Sequence, residues 1–174
     1  MRLELRTTTA EQTRAVGAAL GAILVAGDAI ALTGELGAGK TTLVQGIARG
    51  LGIEEQIVSP TFTLVREYRG RLHLVHVDVY RLRRVQDVID LGLDDELEED
   101  GVLVVEWGDV VRAVLPENHV VIELTTEAPA SVAAPDPDSP GDEPRVLVLT
   151  AEGPVAEERL AALAAAASWE VERS

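Results

Sequence analysis

The sequence predicts a single α/β domain in which helices flank a largely parallel central sheet and an added hairpin extends that sheet. Short apolar segments typical of buried strands alternate along the chain with amphipathic segments typical of helices. A glycine-rich turn joins one such strand to a helix between residues 28 and 51. The 174 residues are enough for one well-buried core and contain no linker between two cores, so residues 1–174 are treated as one domain.

The glycine-rich turn, GELGAGKT at residues 34–41, matches the phosphate-binding loop G-x-x-x-x-G-K-[ST] at every fixed position. Residues 28–33 indicate a buried strand and residues 41–51 a helix, which is the context that a phosphate cradle needs. The motif therefore predicts a P-loop NTPase-like domain; the alternative is a turn that merely contains a lysine. The residues expected to bind a nucleotide here are Gly34, Glu35, Leu36, Gly37, Ala38, Gly39, Lys40, Thr41 and Thr42.

Each part of this loop has a physical role. Its glycines permit backbone conformations that are closed to other residues, and they let amide groups approach phosphate oxygens. Lys40 would place its ammonium group on the outer phosphates, and the hydroxyl of Thr41 would be a ligand of Mg2+. Thr42 follows as a second hydroxyl.

The composition limits the possible partners and location. Thirty acidic residues against 15 basic ones give a formal charge of −15, which disfavours direct binding of tRNA or another nucleic acid. The absence of cysteine rules out disulfides and thiolate metal sites. The amino terminus lacks the apolar run of a signal peptide, and no stretch of about 18 apolar residues predicts a membrane span, so we expect a cytoplasmic protein.

The amino-terminal half predicts a strand, a helix and a hairpin around the loop. Residues 2–6 alternate as an edge strand, and Thr9 stands three residues before Gln12 in the spacing of a capping box, which predicts a helix that runs to Gly27. After the loop, residues 63–69 and 71–77 alternate across a turn at Gly70, which indicates a β-hairpin. The second strand should end at Asp78.

The carboxyl-terminal half predicts further strands and two helices. Residues 83–100 have a helical pattern and end in the acidic run DDELEED, which is most often a solvated face and less often a docking surface. Residues 128–144 are rich in proline and acids and predict a flexible surface loop. The other predicted elements are a strand over 102–105 followed by Glu106, strands over 120–124 and 145–149, and a helix over 154–169.

Two acidic residues at strand ends are candidates for the chemistry beyond binding. Glu106 follows four apolar residues, as in a Walker B pattern, and is the preferred carboxylate for the metal. Asp78 is then the candidate for positioning the attacking water. Each could also be an ordinary polar residue that leaves a strand. Thr61 and Thr63 could contact the γ-phosphate as part of a switch, or could equally satisfy backbone groups of a turn.

The histidines and the tryptophan beside Glu106 are given structural interpretations. His73, His76 and His119 have no metal-ligand spacing and are interpreted as structural or surface residues. Trp107 could pack over the site or serve a partner surface, but core packing is the preferred interpretation.

Four motifs together resemble one family. GELGAGKTT, SPTFTLVREY, HVDVYRL and VVEWGD occur in the order and spacing of the TsaE (YjeE) family, the ATPase of bacterial tRNA threonylcarbamoyladenosine biosynthesis. The resemblance implies a slow Mg2+-dependent ATPase that works with the TsaD and TsaB proteins, of which TsaD transfers the threonylcarbamoyl group to the adenosine beside the anticodon. The acidic loop at 128–144 departs from the compact family pattern.

The resemblance also implies roles for single residues. Lys40 and its loop would hold the phosphates of ATP, and Thr41 and Glu106 would hold Mg2+. Thr42 and Asp78, together with Glu106, would take part in hydrolysis. The adenine would lie near Thr8 or Thr9.

Two other functions stay open at this point. One is a small-molecule kinase, although such an enzyme usually has an arginine-bearing lid and the long loop here contains no arginine. The other is a nucleotide-responsive binding module with negligible hydrolysis. ATP is preferred over GTP only because the guanine-reading N-K-x-D pattern is absent.

Overall fold

A computed structural model gives the structure of the protein and describes most of the chain. Outside the described residues lie Thr61, Thr63, nearly all of the predicted helix over 83–100, and the predicted loop at 128–144 apart from its last two residues. The described residues are 1–60, 64–80, 86–87, 90, 101–107, 115–127 and 143–166, with the backbone of 171–173.

The predicted α/β fold is confirmed. Within the described residues, two strand–helix pairs come first and strands predominate after them. The elements are β1 (Arg2–Thr7), α1 (Ala10–Ile23), β2 (Ala29–Thr33), α2 (Lys40–Gly50), β3 (Val65–Arg69), β4 (His73–Asp78), β5 (Gly101–Glu106), β6 (His119–Thr126), β7 (Arg145–Glu152), α3 (Pro154–Ala166) and β8 (Val171–Arg173).

The eight strands of the described residues form one mixed sheet in the order β3-β4-β5-β2-β6-β7-β1-β8. The four central strands, β4, β5, β2 and β6, are parallel to one another. The outer pairings are antiparallel, including the predicted hairpin of β3 and β4. Since the carboxyl ends of the central strands lie at one edge, side chains that follow β2, β4 and β5 can meet there.

The strand over residues 2–6 was predicted at the sheet edge, and that prediction is wrong by one strand. β1 lies between β7 and β8, so the chain's last described residues cover it. Its side chains at Leu3 and Leu5 are buried in the main core as the alternation indicated. The three-residue β8 gave no separate signal, because such a short segment has no measurable periodicity.

The main core lies on the face of the sheet covered by helices α1, α2 and α3, and a smaller cluster lies on the opposite face. Alternation along the strands decides which side chain enters which cluster. Val75 and Val77 of β4 face the smaller cluster, whereas Leu74 faces the main core. His76 and Asp78 therefore point to the face that carries α2.

Side-chain hydrogen bonds stabilise both ends of helix α1. The amide of Gln12 donates to Oγ1 of Thr9 at 3.1 Å, which confirms the predicted cap. The helix ends at Ile23, four residues before the predicted Gly27. Nη2 of Arg71 donates to the carbonyl oxygens of Gly21 (2.9 Å) and Leu24 (3.0 Å) and so satisfies groups left open at that end.

Helices α1 and α2 pack with their backbones almost in contact. A Cβ atom on Gly17 would lie 2.3 Å from the carbonyl oxygen of Leu43, and one on Gly21 would lie 2.2 Å from that of Ile47. On α2, Cβ atoms on Gly46 and Gly50 would likewise lie 2.2 Å from backbone carbonyl oxygens of α1. These pairings show that the two helices run in the same direction and begin at the same edge of the sheet. Among the described residues, neither these helices nor α3 have the length and apolar character that crossing a membrane requires.

Candidate functional site

The predicted phosphate loop connects β2 to the first turn of α2 at the carboxyl edge of the central strands. All three of its glycines have the positive φ expected of them, with 135° at Gly34, 84° at Gly37 and 104° at Gly39. Gly34 also lies so close to β6 that a Cβ atom would come within 2.3 Å of the carbonyl oxygen of Leu124. The loop conformation thus requires glycine, as the sequence predicted.

Helix α2 begins at Lys40, directly after Gly39 at the N-cap position. The first amide groups of a helix have no partner in the preceding turn, and the helix dipole makes this end positive. Gly39 has no side chain that could cap these amides. The helix start therefore offers amide donors to an anion.

Lys40 is the only lysine of the chain and is 5% exposed. Its Nζ atom donates to the carbonyl oxygens of Gly34 at 2.8 Å and Glu35 at 2.9 Å, and it lies 4.2 Å from the ring centroid of Trp107. Burial lowers the pKa of Lys40 from its ordinary value, and the charges of Glu106 and Asp78 oppose that shift. The loop carbonyl groups thus hold the ammonium group near the carboxylates of Glu106 and Asp78, which belong to β5 and β4.

Glu106 and Asp78 end two adjacent parallel strands and stand in register with each other. Both residues are 3% exposed. The hydroxyl of Thr41 lies 3.5 Å from Oε1 of Glu106, and Oδ1 of Asp78 accepts a hydrogen bond from the amide of Tyr80 at 2.9 Å. The predicted position of both carboxylates at strand ends beside the loop is confirmed.

His76 was interpreted as a structural or surface residue, and the structure gives it a more specific position. Its ring is fully buried, and Nε2 lies 2.8 Å from Oε1 of Glu106. Nδ1 has no partner among the described residues. The sequence signal was present, because residue 76 precedes Asp78 by two and so shares its face of β4, but only the register with β5 shows the contact with Glu106.

Trp107 was predicted as a core residue, and that interpretation is only partly right. The side chain packs against the smaller core cluster, but it also forms a wall beside Lys40 and contacts Tyr80 with ring centroids 4.9 Å apart. Its φ of 64° turns the chain directly after Glu106. The structure therefore shows both core packing and its alternative, packing at the site.

These side chains line one pocket of about 490 Å³. Eight of the sequence-predicted residues line it, as does Trp107, for which packing over the site was the alternative; Ser59 and Tyr80 were not predicted there. The lining consists of Leu36, Gly37, Gly39, Lys40, Thr41, Thr42, Ser59, Asp78, Tyr80, Glu106 and Trp107.

The predicted adenine-side residues, Thr8 and Thr9, do not line this pocket. Both are engaged with Gln12: Thr8 donates from its amide at 2.6 Å and from its hydroxyl at 3.0 Å, and Thr9 caps α1. Their neighbour Thr7 is nevertheless in register with Arg145, whose Nε donates to the carbonyl oxygen of Ala38 in the loop at 3.1 Å. The two threonines therefore lie at the loop end of the sheet, and their role stays a prediction.

The pocket combines groups of complementary chemistry. Helix-start amides and a lysine can hold an anion, while a carboxylate beside a hydroxyl provides the oxygen ligands that Mg2+ prefers. A second carboxylate, that of Asp78, stands next to them and can accept a proton. The site can thus hold an anionic ligand with a divalent cation and place a base beside it.

Comparison with known proteins agrees with this geometry. The family model for threonylcarbamoyl adenosine biosynthesis protein TsaE matches residues 7–132. The tRNA threonylcarbamoyladenosine biosynthesis protein TsaE of Treponema pallidum is 47% identical over 116 residues, which are 67% of this chain and 86% of that protein. The protein of the same name from Bacillus subtilis is 38% identical over 152 residues, 87% of each chain.

The fold agrees as well. The crystal structure of Bacillus subtilis YdiB matches with a TM-score of 0.76 and 33% identity and covers 95% of each chain. The resemblance that the four motifs indicated is confirmed: the chain belongs to the TsaE family, whose members are proteins of tRNA threonylcarbamoyladenosine biosynthesis.

Proposed function

We propose that the protein binds ATP with Mg2+ in this pocket and hydrolyses it slowly in support of tRNA threonylcarbamoyladenosine biosynthesis. One observation carries the proposal: Lys40 and Thr41 begin a helix whose first turn meets the carboxylate of Glu106 at the edge of the parallel sheet. Amides, ammonium, hydroxyl and carboxylate are the groups that a magnesium nucleotide requires.

Thr41 and Glu106 would hold Mg2+, since their oxygens lie 3.5 Å apart and both side chains line the pocket. The metal would supply charge neutralisation on the phosphate oxygens. Lys40 would exchange its bonds to the carbonyl oxygens of Gly34 and Glu35 for bonds to the outer phosphates. Its burial supports this role, because electrostatic attraction is stronger where water is excluded.

Asp78 would position the attacking water and accept its proton. Its Oδ1 atom is already oriented by the amide of Tyr80, which fixes the carboxylate at the strand end. Thr42 lines the same pocket and would bind a phosphate or the water. No arginine lines the pocket among the described residues, and on that basis hydrolysis would be slow in the isolated chain.

TsaD and TsaB are the proposed partners, on the basis of the family to which the chain belongs. The formal charge of −15 supports a division of labour in which the partners hold the tRNA. Thr61 would contact the γ-phosphate as part of a switch, and Thr8 or Thr9 would lie near the adenine. The cytoplasmic location stays a prediction.

Calorimetry with Mg-ATP and Mg-ADP, followed by a phosphate-release assay with and without TsaD and TsaB, tests the proposal. We expect binding by the wild type, a loss of at least about 100-fold in affinity in Lys40→Met, and turnover that rises with the partners. Arg49→Met is the matched control, because Arg49 lies on the same helix but forms an exposed ion pair with Glu11. Failure to take up a magnesium nucleotide, alone or with the partners, would refute the proposed function.

A further inference from the structure

Arg145, the first residue of β7, has its side chain buried behind the phosphate loop. The residue is 4% exposed, and its Nε donates to the carbonyl oxygen of Ala38 at 3.1 Å while Nη1 donates to that of Glu143 at 3.1 Å. The guanidinium group also packs on Gly39, where a Cβ atom would come within 2.9 Å of Nε. Gly39, which the guanidinium group contacts, is itself one of the residues that line the pocket.

The charge of Arg145 has no carboxylate to balance it within the described part of the chain. The ion pairs there join other residues, and its two hydrogen bonds go to neutral carbonyl groups. Burying a cation is costly unless an anion compensates it. Among the described residues no carboxylate fills this role, and an anion bound in the pocket that Gly39 lines would supply the counter-charge.

We infer that Arg145 is a positioning residue that supports the phosphate loop from behind and whose charge favours the more highly charged nucleotides. The inference rests on the proposed function, because it requires a bound polyphosphate to balance the charge of Arg145. Lys40 would attract the phosphates from inside the pocket and Arg145 through the loop, across a region that excludes water and therefore screens charge weakly. The bond to Ala38 would at the same time fix the peptide that precedes Gly39.

The test uses three nucleotides whose negative charge rises from AMP through ADP to ATP, measured without Mg2+ by displacement of a fluorescent ADP analogue. In Arg145→Gln we expect ATP to bind about tenfold more weakly and AMP less than about twofold more weakly, so that ATP-over-AMP selectivity falls. A loss of equal size for all three nucleotides, or no loss, overturns the inference. Absence of nucleotide binding by the wild type would instead overturn the proposed function, and this inference with it.

Two further variants separate charge from folding. Arg71→Gln is the control, because Arg71 makes the same guanidinium-to-carbonyl bonds at the far end of α1, and it should keep the wild-type selectivity. Arg145→Lys keeps the charge and loses the fixed geometry, so its selectivity should stay within about twofold of wild type. If Arg145→Gln does not fold, the lysine variant decides: retained selectivity supports the inference, and lost selectivity in the folded variant overturns it.

Discussion

The Nε2 atom of His76 lies 2.8 Å from Oε1 of Glu106, and both side chains are buried where β4 and β5 run parallel. An ionised carboxylate only accepts hydrogen bonds, so Nε2 must carry the proton of this contact. Thr41 approaches the same oxygen at 3.5 Å. The imidazole thus fixes the orientation of the carboxylate that would bind the metal, as outer partners of metal ligands usually do.

Replacing His76 with Leu should therefore weaken Mg2+ binding as well as the fold. Loss of the donor leaves a buried carboxylate short of a partner, at a cost of about 1 to 3 kcal/mol in the free energy of unfolding. The apparent affinity for Mg2+ should fall about 10-fold to 100-fold, which the Mg2+ dependence of ADP binding measures.

His119→Leu is the control for this prediction. His119 is also a buried histidine with one contact, from Nδ1 to the carbonyl oxygen of Pro116 at 2.8 Å, but it lies at the opposite end of the sheet. Its loss should reduce stability and leave the Mg2+ dependence in place. The idea that His76 positions Glu106 fails if both variants bind Mg2+ like the wild type.

Changing Glu106 and Asp78 each to its amide should affect different steps, namely metal-dependent binding for Glu106 and turnover for Asp78. Glu106→Gln removes the charge that is proposed to bind the metal, so Mg2+ should no longer strengthen nucleotide binding. Asp78→Asn removes the proposed base but leaves the proposed metal ligands intact, so nucleotide affinity should stay within about twofold while turnover falls about 10²-fold to 10⁴-fold. Calorimetry and single-turnover kinetics give the two quantities. Equal effects of both variants on the metal dependence would contradict the assignment of separate roles.

Because α1 packs closely on α2, replacing a helical glycine with alanine should destabilise the protein, whereas the same change usually stabilises an exposed helix. In an exposed helix, Ala is favoured over Gly by about 1 kcal/mol. At Gly17 the added methyl group would lie 2.3 Å from the carbonyl oxygen of Leu43 and 2.9 Å from Cα of Gly46, so the helices would have to separate. Gly17→Ala should therefore lower the free energy of unfolding by about 1 to 3 kcal/mol in urea titrations.

The exposed Ala15 on the same helix gives the reference for this measurement. Ala15→Gly should cost about 1 kcal/mol through helix propensity alone, with no change in the contact between the helices. A Gly17→Ala protein that is as stable as the wild type, or more stable, would show that the helices can move apart without cost.

Local sequence patterns were sufficient to predict the elements around the site. They could not predict contacts between residues that are distant in the sequence. The strand, loop and helix at Lys40 and the strand end at Glu106 follow from spacing and periodicity, which depend on neighbouring residues. The contact of His76 with Glu106 depends on the register of two strands, and that of Arg145 with Ala38 joins residues 107 positions apart. Neither distance leaves a periodic signal in the sequence, so these contacts became evident only in the folded chain.

The pKa of Lys40 can be measured directly, because it is the only lysine in the chain. Protein labelled with ¹³C-lysine gives one lysine Cε resonance, which should titrate below the ordinary value of 10.5 because burial disfavours the charged ammonium group. Folding then opposes protonation of this lysine. Its contribution to stability should therefore rise as the pH increases from the lowered pKa towards 10.5.

Neighbouring carboxylates test the cause of this shift. Glu106 and Asp78 both raise the pKa of Lys40 and so limit the effect of burial, which means that Glu106→Gln and Asp78→Asn should each lower the pKa further. Glu35→Gln is the matched control, since Glu35 contacts Lys40 through its carbonyl oxygen and its carboxylate is exposed. A Lys40 resonance that titrates at or above 10.5 in the wild type would show that burial does not outweigh the neighbouring carboxylates, and the direction proposed for the pKa shift would then be wrong.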